Sequence, residues 1–471
     1  MTSSTVARTP APATPDAPLR TWGGTHTWRP ARRVAPRDEG ELGAVVAGAA
    51  SDGLRVRAMG AGHSFTAAAV TDGVHLGLDH LSGIEAVAPQ PDGTSLVTVR
   101  AGTRLHHLNR LLAALGLAMR NLGDIDRQSV AGAISTGTHG TGARLGGLAT
   151  QVRGVRVVGA DGAVRSASDA AAPGSPEREL FEVARLGLGT AGVLSAVTLE
   201  VVPAFWLRAQ EEPWPLDRVL EQLDEYVDGN EHAEFYWFPG TRRALTKRNN
   251  RATAEQVEAW AAARAGGLGA VRTAGGRARA LLDEEVLSNG AFEVVNRLAF
   301  AAPGLVPRLN AVSARALGAK TYVAPSADVF VTRRRVRFVE MEYALPRAAL
   351  REVLDELDAW LRASGEPVPF PVEVRFAAAD DVWLSTAHGR ETAYVAVHQY
   401  APMPHQRYFS AAEQIFAAAG GRPHWGKMHT RTAEYLGDHY PLADVARVRA
   451  AVDPDGVFRN DYTDTVLGTT D

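Results

Sequence analysis

The stretch Arg55–Gly73, RVRAMGAGHSFTAAAVTDG, sets one histidine between a glycine-rich turn and a serine, directly after an alternating strand. Val56 and Ala58 alternate with Arg55 and Arg57, the pattern of a half-buried strand with one apolar and one basic face. Gly60 and Gly62 then allow a tight turn and a close backbone approach. His63 is thereby presented at the tip of a strand-turn unit, a position from which an imidazole reaches a ligand.

Outward from this turn, the 471 residues exceed what one hydrophobic core usually serves, which predicts two domains. A formal charge of −3, with both signs spread along the chain, excludes a nucleic-acid footprint or a membrane-surface patch. The arginines of VTRRRVRF read as a solvated strand edge. Cysteine is absent, which removes disulfides, thiolate metal sites and cysteine nucleophiles. The opening MTSSTVARTPAPATPDAPLR has no apolar segment of signal-peptide type, so residues 1–26 read as a disordered tail. No apolar run is long enough to span a bilayer, and the reading places a soluble protein in the cytoplasm.

From Thr27 to Pro203 short strands, glycine turns and short helices alternate, an α+β unit. TRLHHLNRLLAALG reads as a helix with Thr103 as N-cap, an apolar face of Leu105, Leu108, Leu111, Leu112 and Leu115, and Gly116 as its stop. VRGVRVVGADGAV reads as a hairpin around Asp161-Gly162. After Pro203 the character changes to aromatic strands, an Ala/Arg-rich helical segment to about Leu317, and an amphipathic helix with Leu350, Val353, Leu354, Leu357, Trp360 and Leu361 in phase. This predicts a second domain over 204–420, with residues 421–471 returning to the first.

Two nucleotide-binding patterns almost match and fail on mechanism. GLGTAG, with Gly187, Gly189 and Gly192, needs a helix after it to hold a pyrophosphate, but the strand VLSAVTLEVV follows. GRPHWGKM lacks the Ser/Thr that a phosphate loop uses for magnesium. The informative run is NLGDIDRQSVAGAISTGTHGTG, Asn121–Gly142, whose glycines and small hydroxyl residues leave backbone N–H groups open to a pyrophosphate. In PVEVRFAAADD, Glu373 and Arg375 share one strand face opposite Val372, Val374 and Phe376. His398 shares its face with Tyr394 and Tyr400, equally readable as a core histidine or a ligand, and Lys427 sits in a turn beside Trp425 and Gly426. Asp380 and Asp381 read as a turn or cap pair.

Together these motifs, with DPDGVFRNDYTDTVLG, resemble the vanillyl-alcohol-oxidase-type flavoproteins, which carry a PCMH-type FAD-binding domain and a substrate cap domain. Within them they look like the sugar-1,4-lactone and alditol oxidases, over about Thr27 to Gly468. The resemblance implies FAD joined covalently through His63 to the isoalloxazine 8α-carbon. It assigns to the cofactor the turn Gly60, Ala61, Gly62, His63, Ser64 and Phe65. It adds, from the glycine-rich run, Asn121, Gly123, Asp124, Ser129, Val130, Gly132, Ala133, Ser135, Thr136, Gly137, His139 and Gly140. Gly192, Val193 and Lys427 complete that set. Glu373, Arg375, Lys427 and His398 are the implied catalytic residues, and no metal ligand is implied.

The implied reaction moves a hydride from a carbinol carbon to flavin N5, with dioxygen as acceptor and hydrogen peroxide as product. Gly123-Asp124 stands where alditol oxidases resemble one another in an Ala-Ser pair, which favours a sugar-1,4-lactone over an open-chain polyol. The alternatives are an alditol or other secondary-alcohol oxidase on the same scaffold and a catalytically idle flavin-binding protein. Small molecules are the only partners implied, and the oligomeric state stays open.

Overall fold

The computed structural model describes residues 17–271, 287–332 and 336–469. The expected N-terminal tail as far as residue 16, part of the Ala/Arg-rich segment (272–286) and the arginines 333–335 lie outside the described residues.

Two sheet systems carry the chain, and the α+β reading holds. Near the N-terminus three parallel strands stand in the spatial order Arg32–Val34, Val74–Gly77, Val56–Met59. They share one core with an antiparallel sheet ordered Val164–Ser168, Val152–Val158, Val193–Pro203, Ser95–Arg100, Ile84–Pro89. The Val152–Val158 and Val164–Ser168 strands form the expected hairpin, with Asp161 accepting the Ala163 N–H at 3.0 Å in its turn. GLGTAG is followed by strand Val193–Pro203 and by no helix.

Helix Leu105–Ala114 buries Leu105, Leu108 and Leu112 and leaves Leu115 exposed beyond its end. Its N-cap is Arg104 rather than the expected Thr103. The Thr103 hydroxyl is already engaged in closing the turn out of strand Ser95–Arg100, donating to the Arg100 carbonyl at 2.6 Å and accepting the Gly83 N–H at 2.9 Å.

The second sheet has eight antiparallel strands, ordered Lys320–Pro325, Trp206–Pro215, Arg243–Arg251, His232–Trp237, Val372–Ala377, Thr392–Tyr400, Phe338–Pro346, Arg422–Pro423. Side-chain alternation splits its central strands into two chemically opposed faces. Phe235, Val374, Val395 and Met341 pack with Leu350, Val353, Leu354 and Leu357 of helix Leu350–Ser364. The other face carries Glu234, Tyr236, Glu340, Glu342, Glu373, Arg375 and His398, and its register sets Tyr236 opposite Glu373 and Glu340 opposite His398. These polar groups are buried, Tyr236 less completely than the rest, so each carboxylate has to find a cation or a donor.

That polar face is stitched to the glycine-rich run. Gly142 N–H donates to the Phe376 carbonyl at 2.8 Å, Phe376 N–H to the Thr141 hydroxyl at 3.2 Å, and Ala378 N–H to the Leu145 carbonyl at 3.0 Å. Arg422 and Pro423 still pair with the second sheet, and the chain beyond them enters the first core with Leu436, Val445, Val457, Phe458 and Val466.

One strand differs from its sequence reading. Val56–Met59 has no basic solvent face at Arg57, which is only 5% exposed, because Val56 donates to the Val457 carbonyl at 2.8 Å and the C-terminal segment covers this strand. Asn460 holds that cover in place. Its side chain caps helix Asp461–Leu467 through the Thr463 N–H, and its amide donates to the Ala67 and Val70 carbonyls at 2.9 Å each. Asn460→Ala is therefore expected to lower unfolding free energy by about 2 kcal/mol, combining a lost cap with the lost amide bonds to the Ala67 and Val70 carbonyls. Urea denaturation at constant m-value checks this, and an unchanged midpoint would contradict it.

Candidate active site

The GHS turn closes the parallel strand Val56–Met59 and is pinned by backbone on both sides. Trp22 N–H donates to the Gly62 carbonyl and Phe65 N–H to the Gly426 carbonyl, each at 2.7 Å. His63 lies 5.6 Å, centroid to centroid, from the Trp22 ring. Burial, reinforced by the charges of Lys427, Arg104 and Arg127, pushes its imidazole down to about 4, so the ring is neutral near pH 7.

From His63 a cleft of about 980 Å³ runs between three walls. The turn supplies Gly60, Ala61, Gly62, His63 and Ser64, the glycine-rich run Ser129, Gly132, Ser135 and Thr136, and the GLGTAG loop Gly189, Gly192 and Val193. A Cβ on Gly60 would sit 2.2 Å from the Ser129 hydroxyl, so only glycine lets these two walls meet. Among the described residues no aspartate or glutamate lines the cleft. Its backbone-rich walls, which carry no carboxylate among the described residues, fit a dinucleotide carrying a diphosphate.

Not all of the sequence-assigned cofactor residues face this space. Val130 and Ala133 point into the core, and Gly137 packs under Trp425. The Asn121 carbonyl accepts from Gln151, and Gly140 leaves the room that the Asn121 side chain fills. These residues shape the loop, whereas Arg57, Gln128, Leu188 and Phe458, which the sequence reading did not single out, line the cleft.

A second cavity of about 580 Å³ shares His63, Ser64, Gln128 and Thr136 with the first and extends to the polar face of the eight-stranded sheet. Phe65, Gly123, Asp124, His139, Arg375 and Lys427 line it. Arg375 pairs with Glu373, donates through Nε to Glu234 at 2.9 Å, and lies 3.6 Å from Asp124. Burial alone would weaken this guanidinium, but the three carboxylates outweigh it and raise its pKa well above the ordinary value. Glu234 also accepts from Lys247 at 2.6 Å, and Lys247 and Arg375 together overcome burial to hold its carboxyl at about 2.

Lys427 pairs with Glu340, whose other oxygen stands 3.4 Å from His398 Nε2, and His398 lies 3.9 Å from Glu373. The four residues assigned to catalysis thus form one connected group, with Arg375 and Lys427 on the cavity wall and Glu373 and His398 behind it. Glu234, Tyr236, Glu340 and Glu342 are the members missed from sequence. The alternating acids of FVEMEYAL were the available signal for two of them, the same pattern that marked VEVR.

His139 stacks on Tyr394 at 3.5 Å, and its Nδ1 and Nε2 meet the Gly140 carbonyl at 2.9 Å and Glu342 at 3.2 Å. With His424 they bring three donor atoms within 4.8 Å of one another, a set for which the sequence reading assigned no metal. His424 Nδ1 accepts the Gly426 N–H at 3.0 Å, and burial drives its pKa down to about 3.

Comparison with known proteins adds an independent view. A family model described as D-arabinono-1,4-lactone oxidase matches residues 197–466, and an FAD binding domain model matches residues 30–168. L-gulono-1,4-lactone dehydrogenase of Mycobacterium tuberculosis is 42% identical over 450 residues, covering 95% of this chain and 98% of that protein. L-gulonolactone oxidase of Bos taurus is 32% identical over 461 residues, covering 95% and 98%. Among solved structures, cholesterol oxidase from B. sterolicum superimposes with a TM-score of 0.74 at 17% identity, over 98% of this chain and all of that one, a likeness of fold.

The buried imidazoles generate a pH prediction. Burial lowers His63, His75 and His429 to about 4 and His424 to about 3, all below the unfolded value near 6.5. Between these values the unfolded chain binds more protons, so stability is full above pH 6.5 and falls as pH drops toward 4. The urea midpoint is expected to decrease steadily from pH 7 to pH 5. A midpoint flat over that interval would contradict the burial of these rings.

Proposed function

Since the chain belongs to the D-arabinono-1,4-lactone oxidase family and is an FAD-dependent oxidoreductase of sugar lactones, we propose that it oxidises a carbinol carbon of an L-gulono-, L-galactono- or D-arabinono-1,4-lactone and passes the electrons to dioxygen, giving hydrogen peroxide. The observation that carries this reading is that Arg375 and Lys427, with Glu373 paired to Arg375 behind them, line a cavity that shares His63 with the cleft. When bound, FAD supplies the hydride acceptor.

The chain's own residues supply orientation and charge. Glu373, held by Arg375 and by the Tyr236 hydroxyl at 3.2 Å, accepts a substrate hydroxyl and fixes the direction of its C–H bond. Arg375 and Lys427 keep positive charge fixed where negative charge builds up during hydride loss. Glu340, between Lys427 and His398, holds the ammonium in place. The proposed FAD site is the larger cleft, with residues 27–203 and the returning segment 421–471 building it and 204–420 capping it.

The neutral His63 ring keeps a nitrogen lone pair, which supports a covalent bond to the flavin. Acid-precipitated protein is expected to stay yellow with the flavin peptide mapping to His63, and release of all flavin into the supernatant would contradict this. Removing a charge-stabilising group of this kind costs about 3 kcal/mol, so Arg375→Ala should slow anaerobic flavin reduction by a lactone roughly 100-fold while flavin content stays near wild type. Arg375→Lys, which leaves Glu373, Glu234 and Asp124 with a cation, separates chemistry from stability. Reduction at the wild-type rate in both variants would reject the assignment.

Gly123 supports the choice of dioxygen, since it leaves the cavity wall without a side chain. A methyl there would lie 3.1 Å from both the His139 carbonyl and Thr138 Cγ2, tight enough to narrow the path for a small molecule. Gly123→Ala is expected to slow reoxidation by oxygen and spare reduction by substrate. The second reading, a dehydrogenase using another acceptor, is favoured by the name of the mycobacterial relative. Stopped-flow mixing of the substrate-reduced protein with oxygenated buffer decides between them, and slow wild-type reoxidation unaffected by Gly123→Ala selects the dehydrogenase.

A further inference from the structure

Strand Val56–Met59 carries Arg57 to the wall of the larger cleft, and its guanidinium is spent on carbonyl oxygens. Nε donates to Ala68 at 2.9 Å, Nη2 to Leu188 at 2.6 Å and again to Ala68, and Nη1 to Phe458 at 2.7 Å and more distantly to Gly189 at 3.5 Å. These acceptors belong to three separate segments: the chain after the GHS turn, the GLGTAG loop and the C-terminal return. Leu188 has a left-handed backbone, φ +57°, which a leucine keeps only when its surroundings enforce it, and the guanidinium takes its carbonyl.

Among the described residues no carboxylate lies within ion-pairing distance of Arg57, and the cleft beside it is lined by no acid. Burial, with the like charge of Arg449 added and Asp464 opposing, lowers its pKa to about 10, so it remains a cation at neutral pH. A buried cation beside a carboxylate-free cleft is unfavourable until an anion enters that cleft.

We infer that Arg57 is the counter-charge of the FAD diphosphate, acting from behind the cleft wall, and that its grip on Ala68, Leu188 and Phe458 sets the cleft's width. This rests on FAD as the cofactor and is independent of the substrate and of the electron acceptor. Arg57 touches no reacting atom and is a positioning residue, so its test has to separate charge from scaffolding.

The full-length chain carrying His63→Ala, stripped of flavin, allows equilibrium titration with FAD and with riboflavin, which has the same ring system and no phosphate. In that background Arg57→Met is expected to weaken FAD binding about 30-fold and riboflavin binding less than about threefold, since a buried counter-charge is lost for the diphosphate alone. Arg57→Lys keeps the charge and loses the fork. It is expected to weaken FAD about fivefold with riboflavin unchanged, and it keeps the comparison measurable if Arg57→Met fails to fold. Equal losses for the two flavins, or no loss for FAD, would overturn the inference and leave Arg57 a scaffold residue. Failure of the His63→Ala parent to bind FAD more tightly than riboflavin would overturn the role of a diphosphate counter-charge.

Discussion

The backbone seam between the glycine-rich run and strand Val372–Ala377 is the constraint on which the site depends. Gly142 N–H donates to the Phe376 carbonyl, Phe376 N–H donates to the Thr141 hydroxyl, and His232 adds a contact to the Thr141 carbonyl at 2.8 Å. The run brings Gly123, Asp124 and His139, and the sheet brings Glu342, Glu373 and Arg375. Without the seam the Asp124–Arg375 and His139–Glu342 pairs, which cross between the two units, would have no fixed separation. Short backbone bonds thus set the reach of long charged side chains, so those side chains lose little further freedom when they pair.

Burying so many carboxylates is tolerable only because each is answered. Glu234 has Lys247 and Arg375, Glu340 has Lys427, and Glu342 has His139. Such a network stabilises the fold weakly and specifies it strongly, because removing one cation strands its partners in a dry interior. It also holds fixed charges at the mouth of a cleft without waiting for a substrate to arrive, the preorganisation that electrostatic catalysis requires.

Local features were legible in the sequence. The strand after GLGTAG, the Asp161-Gly162 hairpin, the apolar face of Leu350–Ser364 and the shared face of Glu373 and Arg375 follow from periodicity and turn chemistry, and the structure has each of them. What escaped depended on partners remote in the chain. Arg57 reads as a surface residue until a segment some 400 positions away covers it through Val457 and Phe458. Thr103 reads as a cap until Gly83 and Arg100 claim its hydroxyl. Glu234, Glu340 and Glu342 carried period-two signals, yet that period alone does not say which face of a strand will be dry. Val130 and Ala133 share a motif with cleft residues while the helix turns their side chains to the core.

The central claim is that a sugar-1,4-lactone loses a hydride to the flavin beside Glu373 and Arg375. It is tested most directly by mixing the holoprotein anaerobically with L-gulono-1,4-lactone, with D-arabinono-1,4-lactone and with the matching open-chain alditols, following the visible flavin absorbance. A lactone deuterated at the oxidised carbon provides the second arm. The account predicts rapid bleaching by at least one lactone, slower bleaching by its deuterated form and much slower bleaching by the alditols. A flavin that every lactone leaves oxidised, or that an alditol reduces faster, would contradict it.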